Sequence, residues 1–429
     1  MGAILLRGGR ERKRHGIHRS VDAAPPVRTM SAERPPGTMM IMTITATPAP
    51  TRSATRLHGL DALRAAALGL GIVLHSIMAF APGLPWLITD SVTSGVVWLP
   101  MYWIHLFRMT VFMLLAGYFG RMVLHRRGPA AYVKDRLLRI GLPVVAFWPI
   151  AVLSLGILAA VGAAVRGVAP PAAPDSDVPE LLMLFTPGQL WFLLVLLECA
   201  VITVVVRAVL IRVFGSDRTG RASSAVGGWL SSYGGVFLVA VSYVVCLLLQ
   251  GLSAEGIIAP ATVLPELPPL IAYLGAFLAG WFLQARPDGL SRVAAQWPVQ
   301  LVGAVVLAVA GFLTTPQQIG LPAHALIIGL AGWTWTYALL GMSVRFLTRE
   351  RPVVRYLADA SYWAYLLHLP LLVAIEIPLA DQPWPIMIKL IITWVVAGAV
   401  LLGIYDLFVR STWIGQWLNG HRRPRGLRT

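Results

Sequence analysis

Residues 60–76 read LDALRAAALGLGIVLHS. Outside three positions the stretch is apolar or small all the way round, as a helix crossing a bilayer must be and a surface helix is not. The exceptions are Asp61, Arg64 and His75. Asp61 and Arg64 stand three apart and can pair near the start of the helix. Arg64 and His75 are separated by eleven residues, close to three turns, which puts them on one face roughly 16 Å apart along the axis. Charged groups cost several kcal/mol at membrane depth, so each requires a partner, a wet cavity or a function. A guanidinium at the mouth and an imidazole deep inside therefore line one groove.

The rest of the chain extends this reading. Of its 429 residues 57 % are hydrophobic and only 13 % charged, against roughly a quarter charged in soluble domains. Ten stretches approach the roughly twenty apolar residues that a bilayer demands: about 58–81, 97–122, 140–164, 188–212, 228–251, 267–285, 297–315, 321–346, 357–378 and 386–410. The fold class expected is all-α, a polytopic membrane helix bundle of about ten transmembrane helices, with the lipid bilayer as its first partner. Basic residues fill alternate gaps: Arg121, Arg126, Arg127, Lys134 and Arg136, then Arg212, Arg218 and Arg221, then Arg286 and Arg292, then Arg345, Arg349, Arg351 and Arg355. The other gaps hold Asp90, then Arg166 with Asp175, Asp177 and Glu180, then Glu255 and Glu266, and finally Asp381. Lys and Arg accumulate on the cytoplasmic side, so an even number of helices in the plasma (inner) membrane with both termini inside is expected. The net charge of +16 is thereby explained without nucleic acid, for which no basic stripe exists.

Three segments follow. Residues 1–55 read as a disordered basic cytosolic tail without a signal peptide, in which Met30, Met39, Met40 and Met42 compete with Met1 as the start. Residues 56–412 form the membrane domain, and 413–429, with Arg422, Arg423, Arg425 and Arg428, a basic cytosolic tail. Cys199 and Cys246 lie in apolar runs without metal or disulfide spacing, and no metal site is expected. Trp86, Trp98, Trp148, Trp229, Trp384 and Trp413 fall near predicted helix ends and read as interfacial anchors.

Polar groups enter the membrane from other helices as well. The second brings His105 and Arg108 in IHLFRMTVFMLLAGYFG, the fourth Gln189, Trp191 and Glu198, and the ninth His368 and Glu376 in SYWAYLLHLPLLVAIEIP. In AYVKDRLLRIGLPVVAF, Arg136 and Arg139 are three apart at the start of the third span. Two guanidiniums so placed suit a phosphate-bearing ligand, and equally suit anchoring by snorkelling.

Taken in order, LDALRAAALGLGIVLH, HLFRMTVFMLLAGYFG, VKDRLLRIGLPVV, LWFLLVLL and ASYWAYLLHLP resemble the membrane acyltransferase-3 family over about residues 57–410. The resemblance is greatest to its branch of osmoregulated periplasmic glucan succinyltransferases. It implies an O-acyltransferase with His75 as the catalytic histidine and Arg64 tied to activity and donor binding. It also implies a cytoplasmic acyl-CoA donor, succinyl-CoA or acetyl-CoA, and a glycan or other envelope hydroxyl as acceptor. The chain departs from the branch at Leu369, where a second histidine can follow His368, and at Gln189, where histidine is frequent.

On these residues, His75 is the general base for direct transfer, and Asp61 is either a direct part of the catalysis or only a structural pair with Arg64. Arg64, Arg136 and Arg139 hold the phosphates of CoA, and Arg108 stabilises the oxyanion or a succinyl carboxylate. His105 and His368 either order the acceptor or pack helices. An acyl-histidine route is open on the same residues. Glu198, Glu376 and Asp406 receive no step. A ten-helix transporter or flippase, coupling through buried His, Arg and Glu, is the competing reading.

Overall fold

The computed structural model describes residues 58–169, 185–252 and 256–426. The basic N-terminal tail, the acids Asp175, Asp177, Glu180 and Glu255, and Arg428 lie outside them. The described residues are mostly helical, without a strand among them, and contain nine helices long and apolar enough to cross a membrane, or ten if one bent pair is counted as a span. The all-α polytopic membrane architecture follows directly.

The helices are α1 (His58–Ile77), α2 (Trp98–Arg127), α3 (Pro129–Arg166), α4 (Trp191–Phe214), α5 (Ser216–Leu230), α6 (Gly235–Gln250), α7 (Leu267–Ala285), α8 (Gly289–Leu313), α9 (Leu321–Phe346), α10 (Pro352–Leu379), α11 (Ile386–Ile404) and α12 (Trp413–Asn419). A π-helical turn, Tyr405–Val409, extends α11. Within their most apolar windows 67 % of α9 and 56 % of α2 are buried, against 22 % of α3. So α2 and α9 stand at the centre, while α3 turns Val145, Ile150, Ile157 and Val165 outward, as lipid contact requires.

The end of the bundle at which α1 and α10 begin is rich in arginine and is called here the basic end. The fifth apolar stretch differs from the span expected at 228–251. Residues up to Leu230 belong to α5, and the chain bends by 95° before α6 starts at Gly235. Gln296 of α8 and Tyr337 of α9 donate to the Ser231 and Leu230 carbonyls at 2.7 and 3.0 Å, holding the bend. Gly256, just past α6, lies against His105 near the opposite end of α2. α6 therefore crosses, although its sixteen residues reach only about 24 Å.

Prolines inside the spans decide where helices meet. In α3 the Leu142 N–H bonds five residues back to Leu137, forming a π turn over Leu137–Gly141, and Pro143 has no N–H. The Leu138 carbonyl is thus left without a helical donor, and the indole of Trp417 on α12 donates to it at 2.7 Å. The next carbonyl, that of Arg139, accepts from the Tyr362 hydroxyl of α10 at 2.6 Å. Pro370 in α10 likewise frees the Leu366 carbonyl, and Gln189 supplies Nε2 at 2.9 Å. In the centre, α2 and α7 touch backbone to backbone, because any side chain at Gly117 would strike the Phe277 carbonyl and one at Gly280 that of Leu114.

Candidate active site in the membrane core

Two contacts fix the relation of α1 to α10. Arg64 Nη2 donates to the Ala358 carbonyl at 3.1 Å, and the rings of His75 and His368 lie 5.3 Å apart between centroids. Positions 64 and 75 thus match 358 and 368, so the two helices run parallel and the face shared by Arg64 and His75 is the one turned to α10. Asp61 lies 3.9 Å from Arg64, and Arg64 Nε is buried without a hydrogen-bond partner.

His75 has two aromatic neighbours. Trp86, from the segment after α1, stacks on it at 5.8 Å with 13° between planes, and the His368 ring is tilted against it by 50°. Its Nδ1 is buried with no hydrogen-bond partner. One turn earlier on the same face is Gly71, and the Arg108 guanidinium of α2 occupies the room that a side chain there would take. Arg108 is buried, its Nε has no partner, and it makes no ion pair among the described residues. The phenols of Tyr273 and Tyr365 are its electrostatic neighbours.

His105 and His368 have defined tautomers. Nδ1 of His105 lies 2.9 Å from the Met101 carbonyl and Nδ1 of His368 lies 2.8 Å from that of Tyr365. A carbonyl only accepts, so both Nδ1 atoms carry the proton and both Nε2 atoms present a lone pair. Arg108, His368 and His105 all lie within electrostatic reach of His75. The four groups from α1, α2 and α10 that the sequence singled out thus converge on one place.

At the basic end Asp135 is shared by Arg139, Arg136 and Arg127, at 3.2, 3.3 and 3.6 Å. Arg136 also lies over the Tyr132 ring at 5.0 Å. α10 joins this group to Arg64, since Ala358 holds Arg64 and Tyr362, one turn on, holds the Arg139 carbonyl. Toward the opposite end Lys389 makes bonds of 2.7 and 2.8 Å to Asp90, both buried, and Glu376 of α10 is buried nearby with neither oxygen hydrogen-bonded. Glu198 and Asp406 stand apart: Asp406 accepts from the Gly426 N–H at 2.7 Å, and Glu198 on α4 has a buried oxygen without a partner. No group of three or more metal-ligating side chains occurs among the described residues.

Gly71, Trp86, Tyr365 and Lys389 were not assigned a place in the site from sequence. Gly71 had a signal, since a glycine one turn from the candidate histidine leaves room for another helix's side chain. Lys389 had none, because its acid lies 299 positions away.

The helical membrane bundle thus gathers three histidines and an uncompensated guanidinium in its interior, with a cluster of arginines at one end. The chain belongs to the acyltransferase-3 family, whose match, described as an acyltransferase domain, covers residues 57–408; it is an integral-membrane O-acyltransferase. It is similar to glucans biosynthesis protein C of Salmonella heidelberg (strain SL476), 24 % identical over 333 residues, covering 74 % of this chain and 83 % of that protein. The protein of the same name from Escherichia coli (strain K12) is 30 % identical over 178 residues, 40 % of this chain and 45 % of the relative. No solved structure matches.

Proposed function

We propose that the protein moves an acyl group, succinyl or acetyl, from acyl-CoA to a hydroxyl of a periplasmic or cell-surface glycan, with His75 as general base. The basic end faces the cytoplasm, both termini lie on that side, and the membrane is the inner one. The observation that carries this reading is the seat of His75, beside two imidazole lone pairs and one unpaired guanidinium. Such a site accepts protons from hydroxyls and stabilises developing negative charge.

In the step, His75 takes the acceptor O–H proton while the oxygen forms a bond to the thioester carbonyl carbon. The tetrahedral oxyanion is stabilised by Arg108, which has no carboxylate of its own to neutralise. The C–S bond then breaks, and the proton held by His75 passes to the leaving CoA sulfur, so the imidazole returns neutral. Nε2 of His105 and of His368 accept hydrogen bonds from the acceptor, which suits a substrate rich in hydroxyls, as the name of the relatives also suggests. Arg64, Arg136 and Arg139 bind the phosphates of the donor, and Asp61 holds Arg64 in place.

Thiol release from succinyl-CoA and acetyl-CoA by the protein in nanodiscs, with and without glycans, tests the reading. Acceptor-dependent release is expected with one donor, falling by about 10²–10⁴ in His75→Ala, the range for loss of a general base. Release that survives in a folded His75→Ala protein would exclude this residue as the base.

A further inference from the structure

The chain after α11 stays on the bundle. α12 lies at the basic end, with Trp417 bonded to the Leu138 carbonyl and Asn419 Nδ2 donating to the Asp359 carbonyl at 2.9 Å. Gly420 then reverses the chain in the left-handed region at φ +79° and lies directly against the Arg139 guanidinium, so position 420 excludes a side chain on both counts. The returning segment is tied down by the Arg423 N–H to the Arg410 carbonyl, 3.0 Å, and by Arg410 Nε to the Pro424 carbonyl, 2.7 Å. Residues 413–426 are thus a strap rather than a free tail.

The strap touches one of the arginines already assigned to the donor and the stretch of α10 that holds another. Gly420 touches Arg139, while Arg423 Nε and His421 Nε2 reach the Asp359 carboxylate at 2.7 and 3.6 Å. The neighbouring residue, Ala358, holds Arg64. The strap contains no acid but carries Arg422, Arg423 and Arg425. Arg422 is exposed and, among the described residues, makes no hydrogen bond or ion pair. Asp359 matches Arg423, and Asp135 is already shared by Arg127, Arg136 and Arg139, so Arg422 adds a guanidinium for which no acid is left among the described residues, and an anion bound at this end would neutralise the surplus.

We propose that residues 420–425 form the second half of the donor's phosphate site, with Arg422 and Arg423 joining Arg64 and Arg139 around a phosphorylated nucleotide of the 3′-phospho-ADP type. The inference rests on the acyl-CoA reading above and adds a C-terminal element to it. A merely structural strap would weaken all nucleotides alike, whereas a phosphate contact discriminates between them.

The test is calorimetric binding of CoA and of 3′-dephospho-CoA to the full chain in nanodiscs, for the native protein, Arg422→Gln and Arg423→Gln. The native chain is expected to prefer CoA. Arg422→Gln, which removes no contact within the protein, should weaken CoA by about tenfold, the scale of one charge-assisted hydrogen bond, and reduce that preference. Arg423→Gln should weaken CoA at least as much. Native preference for CoA with unchanged binding by both variants would overturn the strap's role and leave the donor reading intact. Tighter binding by the variants would make the strap an occluding lid, also overturning it. Failure of the native chain to bind either nucleotide would remove the donor reading and the strap's role with it.

Discussion

The two ends of the bundle handle charge in opposite ways. Toward the end away from the arginines, Lys389 and Asp90 are matched one to one, with side chains 0 % and 3 % exposed, and a further bond from the Val92 N–H to Asp90 at 2.7 Å completes the carboxylate. At the basic end three arginines compete for Asp135 at 3.2–3.6 Å, and their side chains are 22–59 % exposed. A dry, closed pair cannot be exchanged for a ligand, because each charge would be left buried without its counter-charge. A wet, crowded and under-neutralised cluster can release its internal contacts and take an anion in their place. The first arrangement ties the segment after α1 to α11; the second is suited to binding.

The largest effect should come from breaking the closed pair. Lys389→Met leaves Asp90 buried and uncompensated, and a loss of about 3–5 kcal/mol of stability is expected. Thermal unfolding in detergent measures it, and Asp90→Leu with Lys389→Met should recover most of the loss, since an apolar pair of similar volume replaces two desolvated charges. An equal loss in the double variant would show that the pair does more than match charge. Arg136→Gln at the basic end should move stability by less than about 1 kcal/mol, because its partner Asp135 keeps two other arginines. If it destabilised as much as Lys389→Met, the contrast between the ends would fail.

Part of the fold and of the candidate site was readable in the sequence, but the closed pair was not. The spans were legible because twenty apolar residues have few other uses, and the shared face of Arg64 and His75 because a helix fixes its own periodicity. Helix limits were less so. The third span was expected at 140–164 and begins at Pro129, since the polar stretch with Lys134, Asp135, Arg136 and Arg139 is helical too and two π turns carry the helix through Pro143 and Pro149. Trp86 read as an interfacial anchor, yet it stacks on His75, because the segment after α1 folds back over the site. That return depends on a non-helical segment whose course no periodicity fixes, and the Lys389 to Asp90 and Trp417 to Leu138 bonds join residues 299 and 279 positions apart, where spacing carries no information.

Intermediate effects should appear where helix carbonyls freed by proline are satisfied from a neighbour. Tyr362→Phe removes the donor to the Arg139 carbonyl while keeping the ring, and about 1 kcal/mol of stability should be lost. The sharper expectation concerns function. Arg139 is positioned by its own backbone, so Tyr362→Phe should raise the KM for the acyl donor while leaving kcat nearly unchanged. A fall in kcat at constant KM would instead place Tyr362 with the chemistry at His75.

The smallest effect belongs to the surface tie between Arg166 and Asp381, which joins α3 to the turn after α10 through bonds of 2.8 Å from Nε and Nη2. Hydrogen bonds from Arg166 hold the Asp381 carboxyl below its ordinary pKa. A carboxyl lowered in the folded state stabilises above its unfolded pKa, and loses that contribution as pH falls through the folded one. The difference in melting temperature between the native chain and Asp381→Asn should therefore be constant from pH 8 to about 5 and shrink below about pH 4. Because Asp381 is 52 % exposed, water screens the pair and the difference should be slight even at its maximum. A large difference that persisted in acid would mean that the turn after α10, and with it the carbonyl of Ala380 that lies 3.5 Å from Lys389, is held by the shape of the side chain rather than by its charge.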